Sequence, residues 1–180
     1  VCDAGTEAWP ESCRSAFDGK LLQDPVAWAS YVSEELHAQV VAVHLLSTDP
    51  TGLNRTPEEA AGLIQRIVAE VSRPLIVWGC GDPARDAETL RCVAEACQGR
   101  NLALGPAEDK NYKQVGAAAI AYNHCVIASS PIDVNLAKQL NILLIELGVP
   151  EGKILMDPTT GALGYGLEYT YSVMERDRIA

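Results

Sequence analysis

The stretch VVAVHLLSTDPTGLNRTPEEAAGLIQRIVAEVSRPLIVW, residues 40–78, decides the fold class. Val40–Leu46 is an almost unbroken apolar run that stops at Ser47-Thr48-Asp49-Pro50. A run of this length bounded by turn residues reads as a buried strand. Thr56-Pro57-Glu58-Glu59 then supplies a helix start: a threonine cap, a proline in the first turn and two acids near the positive end of the helix dipole. Leu63, Ile64, Ile67, Val68 and Val71 recur at helical spacing and form one apolar stripe. Leu75–Trp78 is a second short apolar run. Strand, helix and strand in this order make a βα unit that feeds a parallel neighbour.

The same alternation extends in both directions. Upstream, Asp24-Pro25 opens a helix whose core side is Val26, Trp28, Ala29, Val32 and Leu36. Downstream come a helix over Pro83–Ala96, a strand at Leu102–Leu104 and a helix from Tyr112 to Tyr122. A strand at Cys125–Ala128, a helix over Val134–Leu147, a strand at Ile154–Met156 and a helix beginning near Gly166 follow. Five βα units after a leading helix predict an α/β protein. The short strands, apolar on both faces, predict a parallel sheet covered on both sides. A doubly wound sheet and a (β/α)8 TIM barrel both satisfy this pattern. Five strands do not close an eight-stranded barrel. The barrel reading is therefore an incomplete one of five to six βα units, a single partial domain over residues 1–180 with an irregular segment at 1–22. The sequence begins at Val1 rather than Met and reaches Ala180 with the helical pattern still running. The expectation is an excised piece whose closing strands lie mostly beyond Ala180.

Composition narrows the function classes. Hydrophobic content is 48%, mean hydropathy is near zero and formal net charge is −10. An acidic chain without clustered Lys and Arg argues against nucleic acid and against anionic membrane surfaces. No apolar run is long enough to span a bilayer and no signal segment is evident, so a cytoplasmic protein is expected. The six cysteines, Cys2, Cys13, Cys80, Cys92, Cys97 and Cys125, form no C-x-x-C pair. They read as reduced thiols acting as small apolar residues rather than cluster or zinc ligands. His37, His44 and His124 have no metal-ligand spacing.

In both candidate folds ligands bind at the carboxyl ends of the strands. Those ends read Ser47-Thr48-Asp49, Gly79-Cys80-Gly81-Asp82, Gly105-Pro106-Ala107-Glu108-Asp109-Lys110, Ser129-Ser130-Pro131-Ile132-Asp133-Val134-Asn135 and Asp157-Pro158-Thr159-Thr160-Gly161. Each acid also stands where a helix cap belongs, Asp82 and Asp133 most clearly. Gly79-Cys80-Gly81-Asp82-Pro83-Ala84 formally matches a dinucleotide fingerprint. Pro83, however, removes an N–H where pyrophosphate needs donors. Ser47, Ser129 and Ser130 lack a nucleophile-elbow context.

Several blocks together resemble one family. They are DPVAWA (24–29), HLLSTDP (44–50), PEEAA (57–61), PIDVNLAKQLN (131–141) and, above all, DPTTGALGYGLEYTYSVMER (157–176). They are similar to the small subunit of the corrinoid iron–sulfur protein, in archaeal systems the delta subunit of the acetyl-CoA decarbonylase/synthase (carbon monoxide dehydrogenase) complex. The resemblance covers the chain from about residue 9. It implies a (β/α)8 barrel paired with a large corrinoid iron–sulfur subunit that carries a [4Fe–4S] cluster and a mobile corrinoid domain. The corrinoid would lie between that domain and the carboxyl end of the barrel. It would take a methyl group from a methyl-tetrahydropterin through a methyltransferase and deliver it to the acetyl-CoA synthase site. This chain would contribute no cluster and no catalytic side chain, and would shape the cavity over the cobalt. On that resemblance the candidate corrinoid neighbours are Thr159, Thr160, Gly161, Ser129, Asp133, Asn135 and Ser47. Two other readings stand beside it: a pterin-dependent methyltransferase of TIM-barrel fold, and a purely structural subunit of the complex.

Overall fold

A computed structural model describes residues 1–179. The elements run in the order α1 (Glu11–Arg14), α2 (Gly19–Leu22), α3 (Pro25–Glu34), β1 (Val41–His44), α4 (Pro57–Glu70), β2 (Leu75–Trp78) and α5 (Pro83–Ala96). They continue with β3 (Ala103–Ala107), α6 (Tyr112–Tyr122), β4 (Cys125–Ser129), α7 (Val134–Leu147), β5 (Ile154–Asp157) and α8 (Leu167–Ile179). The helix starts follow from their caps. Thr56 and Glu59 form a reciprocal capping box on α4, and Asp24, Asp82 and Asp133 each accept backbone N–H groups at the starts of α3, α5 and α7.

The strands pair in the order β1-β2-β3-β4-β5, all parallel. This order has no point where the winding reverses, so the doubly wound alternative is set aside. Right-handed crossovers that always step the same way place every connecting helix on one side of the sheet. The packing agrees: α3 lies on α4, α4 on α5, α5 on α6, α6 on α7 and α7 on α8. Val41, Val43, Leu75, Val77, Leu104 and Val126 point into that helical layer and are buried against residues such as Ile64, Ile67, Leu90, Val93 and Leu144.

The opposite face differs from the expectation of a sheet covered on both sides. Among the described residues nothing closes it. Ala42 is exposed, and His44, Ile76, Trp78, Ala103 and Cys125 are half-buried. The five strands form an open parallel sheet that a barrel arc would match; closure is not part of the structure. At one margin, residues 1–3 run alongside β1. The His44 N–H donates to the Val1 carbonyl at 2.9 Å, and the Asp3 N–H donates to the His44 carbonyl at 3.1 Å. At the other margin β5 is bare, with Leu155 47% and Met156 42% exposed.

Three local expectations change. The first strand is shorter than Val40–Leu46, because Val40 is outside it and Leu46–Thr48 coil into a 3-10 turn. The third strand runs on to Ala107. The irregular residues 1–22 hold short helices that bring Trp9 and Phe17 against Trp28, with ring centroids 5.7 and 5.8 Å away. Among the described residues no helix is long and apolar enough to cross a membrane.

His124 lies at the amino end of β4, buried between α5 and β3. Its Nδ1 accepts the Leu102 N–H at 3.0 Å, which leaves Nε2–H to donate to the Ala94 carbonyl at 2.9 Å. The bond from Leu102 requires a neutral ring with Nδ1 free to accept, and burial holds the imidazole below its ordinary value of 6.5. The unfolded chain therefore takes up a proton first as pH falls, and His124 stabilises the fold above that value and ceases to do so below it. Urea midpoints measured at pH 7.5 and 5.5 should fall on acidification, with a smaller fall in His124→Gln. An equal fall in both proteins would exclude His124 as a source of the slope.

Candidate functional site

The carboxyl ends of β4 and β5 are joined by one acid. Asp157, the last residue of β5, accepts the Ser129 hydroxyl at 3.1 Å through Oδ2 and the Thr159 N–H at 3.2 Å through Oδ1. Its carbonyl accepts the Ser130 N–H at 3.0 Å, and the Thr159 hydroxyl donates to the Ser130 carbonyl at 2.6 Å. Thr159 sits at φ 51°, a left-handed position that a β-branched residue rarely takes. Bonds from its own N–H and hydroxyl hold it there, the pattern of backbone strain found at functional loops.

The loop after β5 is braced in the same manner. The Gly161 N–H donates to Thr170 Oγ1 at 2.7 Å, and Thr170 is buried in α8. A Cβ on Gly161 would stand 2.7 Å from the Gly166 carbonyl oxygen, so only glycine fits. The turn between carries Leu163 and Tyr165, each 86% exposed, at its tip.

Ser129, Ser130 and Thr159 form the head of a cleft of about 560 Å³, lined by Glu108, Asp109 and Lys110 on one side and by Leu136, Gln139, Leu140 and Leu143 of α7. Asp133 and Asn135 fall instead on a smaller cleft of about 160 Å³, with Tyr169, Val173 and Arg176 of α8. Asp133 uses its carboxylate as the α7 cap, accepting the Asn135 and Leu136 N–H groups at 2.8 and 3.2 Å. Thr160 is exposed and lines neither cleft. Ser47 stands apart, at the carboxyl end of β1 and three strands from β4. It is buried, and its N–H and hydroxyl both donate to the Asp3 carboxylate. The structure thus groups Ser129 and Thr159, places Gly161, Asp133 and Asn135 beside them, and leaves Ser47 engaged elsewhere.

Sequence reasoning missed Asp157 and Thr170 as organising residues, because strand-end acids and mid-helix threonines are common. It also missed Asp86. This acid lies on the buried face of α5, in helical register with Leu90 and Val93, and that spacing was the available signal. Asp86 is 1% exposed and accepts the Cys80 N–H at 2.7 Å and the Gly81 N–H at 3.0 Å. Burial pushes its carboxyl above the ordinary range. The donors that a dinucleotide phosphate would need are thus already bound to an internal acid, which sets the Gly79–Ala84 fingerprint aside. The six cysteines are free, and no group of three or more His, Cys, Asp or Glu residues is placed to hold a metal among the described residues.

Across residues 1–180 the chain matches the profile of the CO dehydrogenase/acetyl-CoA synthase delta subunit. The chain belongs to this family. The acetyl-CoA decarbonylase/synthase complex subunit delta of Methanopyrus kandleri is 41% identical over 163 residues, 90% of this chain and 41% of the relative. The subunit delta of Methanothermobacter thermautotrophicus is 38% identical over 181 residues, 100% of this chain and 46% of the relative. That of Archaeoglobus fulgidus is 39% identical over 163 residues, 89% of this chain and 36% of the relative. The chain therefore spans less than half the length of these delta subunits.

If the Thr170 hydroxyl fixes the loop, Thr170→Val leaves the Gly161 N–H unpaired, at a cost of about 1–3 kcal/mol. Hydrogen exchange should show faster exchange of residues 161–166, while β1–β4 keep their protection. Unchanged exchange in that loop would show that Thr170 does not brace it.

Proposed function

We propose that this chain acts as a small-subunit element of a corrinoid iron–sulfur protein in acetyl-CoA synthesis or cleavage, helping to hold a corrinoid against the carboxyl ends of its strands. One observation carries the reading: the whole chain matches the delta-subunit family, and Thr159, within the block that most strongly resembled it (residues 157–176), stands at the head of an apolar-walled cleft of about 560 Å³ at those strand ends. The uncovered sheet face and the bare edge of β5 support the finer reading of a (β/α)8 barrel completed by further strands. The partners of this reading are a large corrinoid iron–sulfur subunit, a methyltransferase and the acetyl-CoA synthase component. The compartment is the cytoplasm.

The rim fits a corrinoid chemically. It presents neutral hydroxyls, a glycine that admits close backbone approach and half-exposed apolar surface. When bound, the corrinoid supplies the cobalt that carries the methyl group. The chain's residues then bind, orient and exclude water. Thr159, Thr160 and Gly161 would hold the group, Ser129 is held in register by Asp157, and Asp133 and Asn135 would extend the contact along the start of α7. Leu163 and Tyr165 at the loop tip cover apolar surface. The turn-by-turn hydrogen bonding fixes this surface before anything binds, which lowers the ordering cost of binding.

Co-expression with a large corrinoid iron–sulfur subunit should yield a stable complex with corrinoid absorption bands. Absence of those bands with the partner present would overturn the reading. Methyl-pterin turnover by this chain alone would replace it with the methyltransferase reading. Thr159→Val combined with Thr160→Val should weaken corrinoid retention; unchanged retention would remove these two residues from the site.

A further inference from the structure

The cleft between α7 and the β3–α6 loop contains one group that the fold leaves unsatisfied. Ser130 lines it, is 6% exposed, and its hydroxyl has no hydrogen-bond partner among the described residues. Its neighbours differ: the Ser129 hydroxyl donates to Asp157, and the Thr159 hydroxyl donates to the Ser130 carbonyl. A buried hydroxyl without a partner carries a desolvation penalty that a ligand polar atom would remove.

The other groups around the cleft restrict what that atom belongs to. Lys110 and Gln139 offer N–H donors, Glu108 and Asp109 offer carboxylates, and Leu136, Leu140 and Leu143 form the apolar wall. A carboxylate ligand would face the two acids. An ammonium would face Lys110. An alkyl group would leave Ser130 unpaired. A primary carboxamide meets all three conditions, because its oxygen accepts from Ser130 or Lys110 and its NH₂ donates to a carboxylate. A short alkyl stem would lie along the leucines. The volume of about 560 Å³ is that of a site for a small molecule or one arm of a larger one.

We propose that this cleft is a subsite for a primary carboxamide carried on a short alkyl arm, with Ser130 as its buried hydrogen-bond partner and Gln139 as a second. The proposal rests on the corrinoid reading above, since a corrin ring bears carboxamide arms of this kind around its rim. Ser130 and Gln139 would hold one such arm in the cleft between α7 and the β3–α6 loop.

Equilibrium dialysis of the full chain with dicyanocobinamide, and with dicyanocobyrinic acid in which the amides are replaced by carboxylates, tests this directly. The amide probe should bind about tenfold more tightly than the acid. Ser130→Ala and Gln139→Leu should each weaken dicyanocobinamide about three- to tenfold. Without ligand, Ser130→Ala should melt at the same temperature as the parent chain or higher, because it deletes an orphaned hydroxyl rather than a bond. Unchanged dicyanocobinamide affinity in both variants would overturn the subsite and leave the corrinoid reading standing. A lower melting temperature in Ser130→Ala with unchanged affinity would make the hydroxyl a structural group and likewise overturn it. No uptake of either probe by the parent chain, alone or with the large corrinoid subunit, would remove both readings.

Discussion

Among the described residues the sheet is covered on one side only, and most of the remaining architecture follows from this. Five parallel strands paired in chain order oblige each crossover helix to lie on the same face. That face carries the tightly packed valines and leucines of the core. The other carries Ile76, Trp78 and Cys125 at half burial, too apolar for a solvent-facing surface and too open for an interior. Such a face calls for a second body, whether further strands, a partner or a cofactor.

At the carboxyl end of the sheet the same economy appears in polar form. Asp157 ties the ends of β4 and β5 together with bonds to Ser129 and Thr159 and a backbone bond to Ser130. Thr170 reaches back from α8 to hold Gly161. Neither device depends on a bound group. The rim is therefore shaped in advance, and binding energy need not be spent on ordering it. Ser130 is the exception within this satisfied network, and its position in the apolar-walled cleft gives the exception chemical meaning.

Several helices were legible because they carry a start signal in a few adjacent residues: Thr56-Pro57-Glu58-Glu59, Asp82-Pro83 and Asp133-Val134 all stand where helices begin. The strand centres were legible for the same local reason. Strand order was not, because Val41, Leu75 and Val126 are equally apolar in a singly or a doubly wound sheet. The one-sided cover was also hidden, since Ile76 and Trp78 look like core residues in isolation. Within the site, the grouping of Ser129 with Thr159 was anticipated from their shared strand-end position. Ser47 shares the strand-end position, but that position does not reveal that Asp3, forty-four residues earlier in the chain, takes its hydroxyl.

Asp86 has a consequence for what this surface ignores. The glycine turn after β2 has the outline of a phosphate cradle, and its two N–H groups converge as such a cradle requires. A carboxylate from its own helix already sits in the cradle. An incoming phosphate would have to displace a covalently tethered anion and then endure its charge nearby. That turn thus keeps the outline of an anion site while its own helix has already filled it, and Gly79 serves the packing of α5 on the sheet instead.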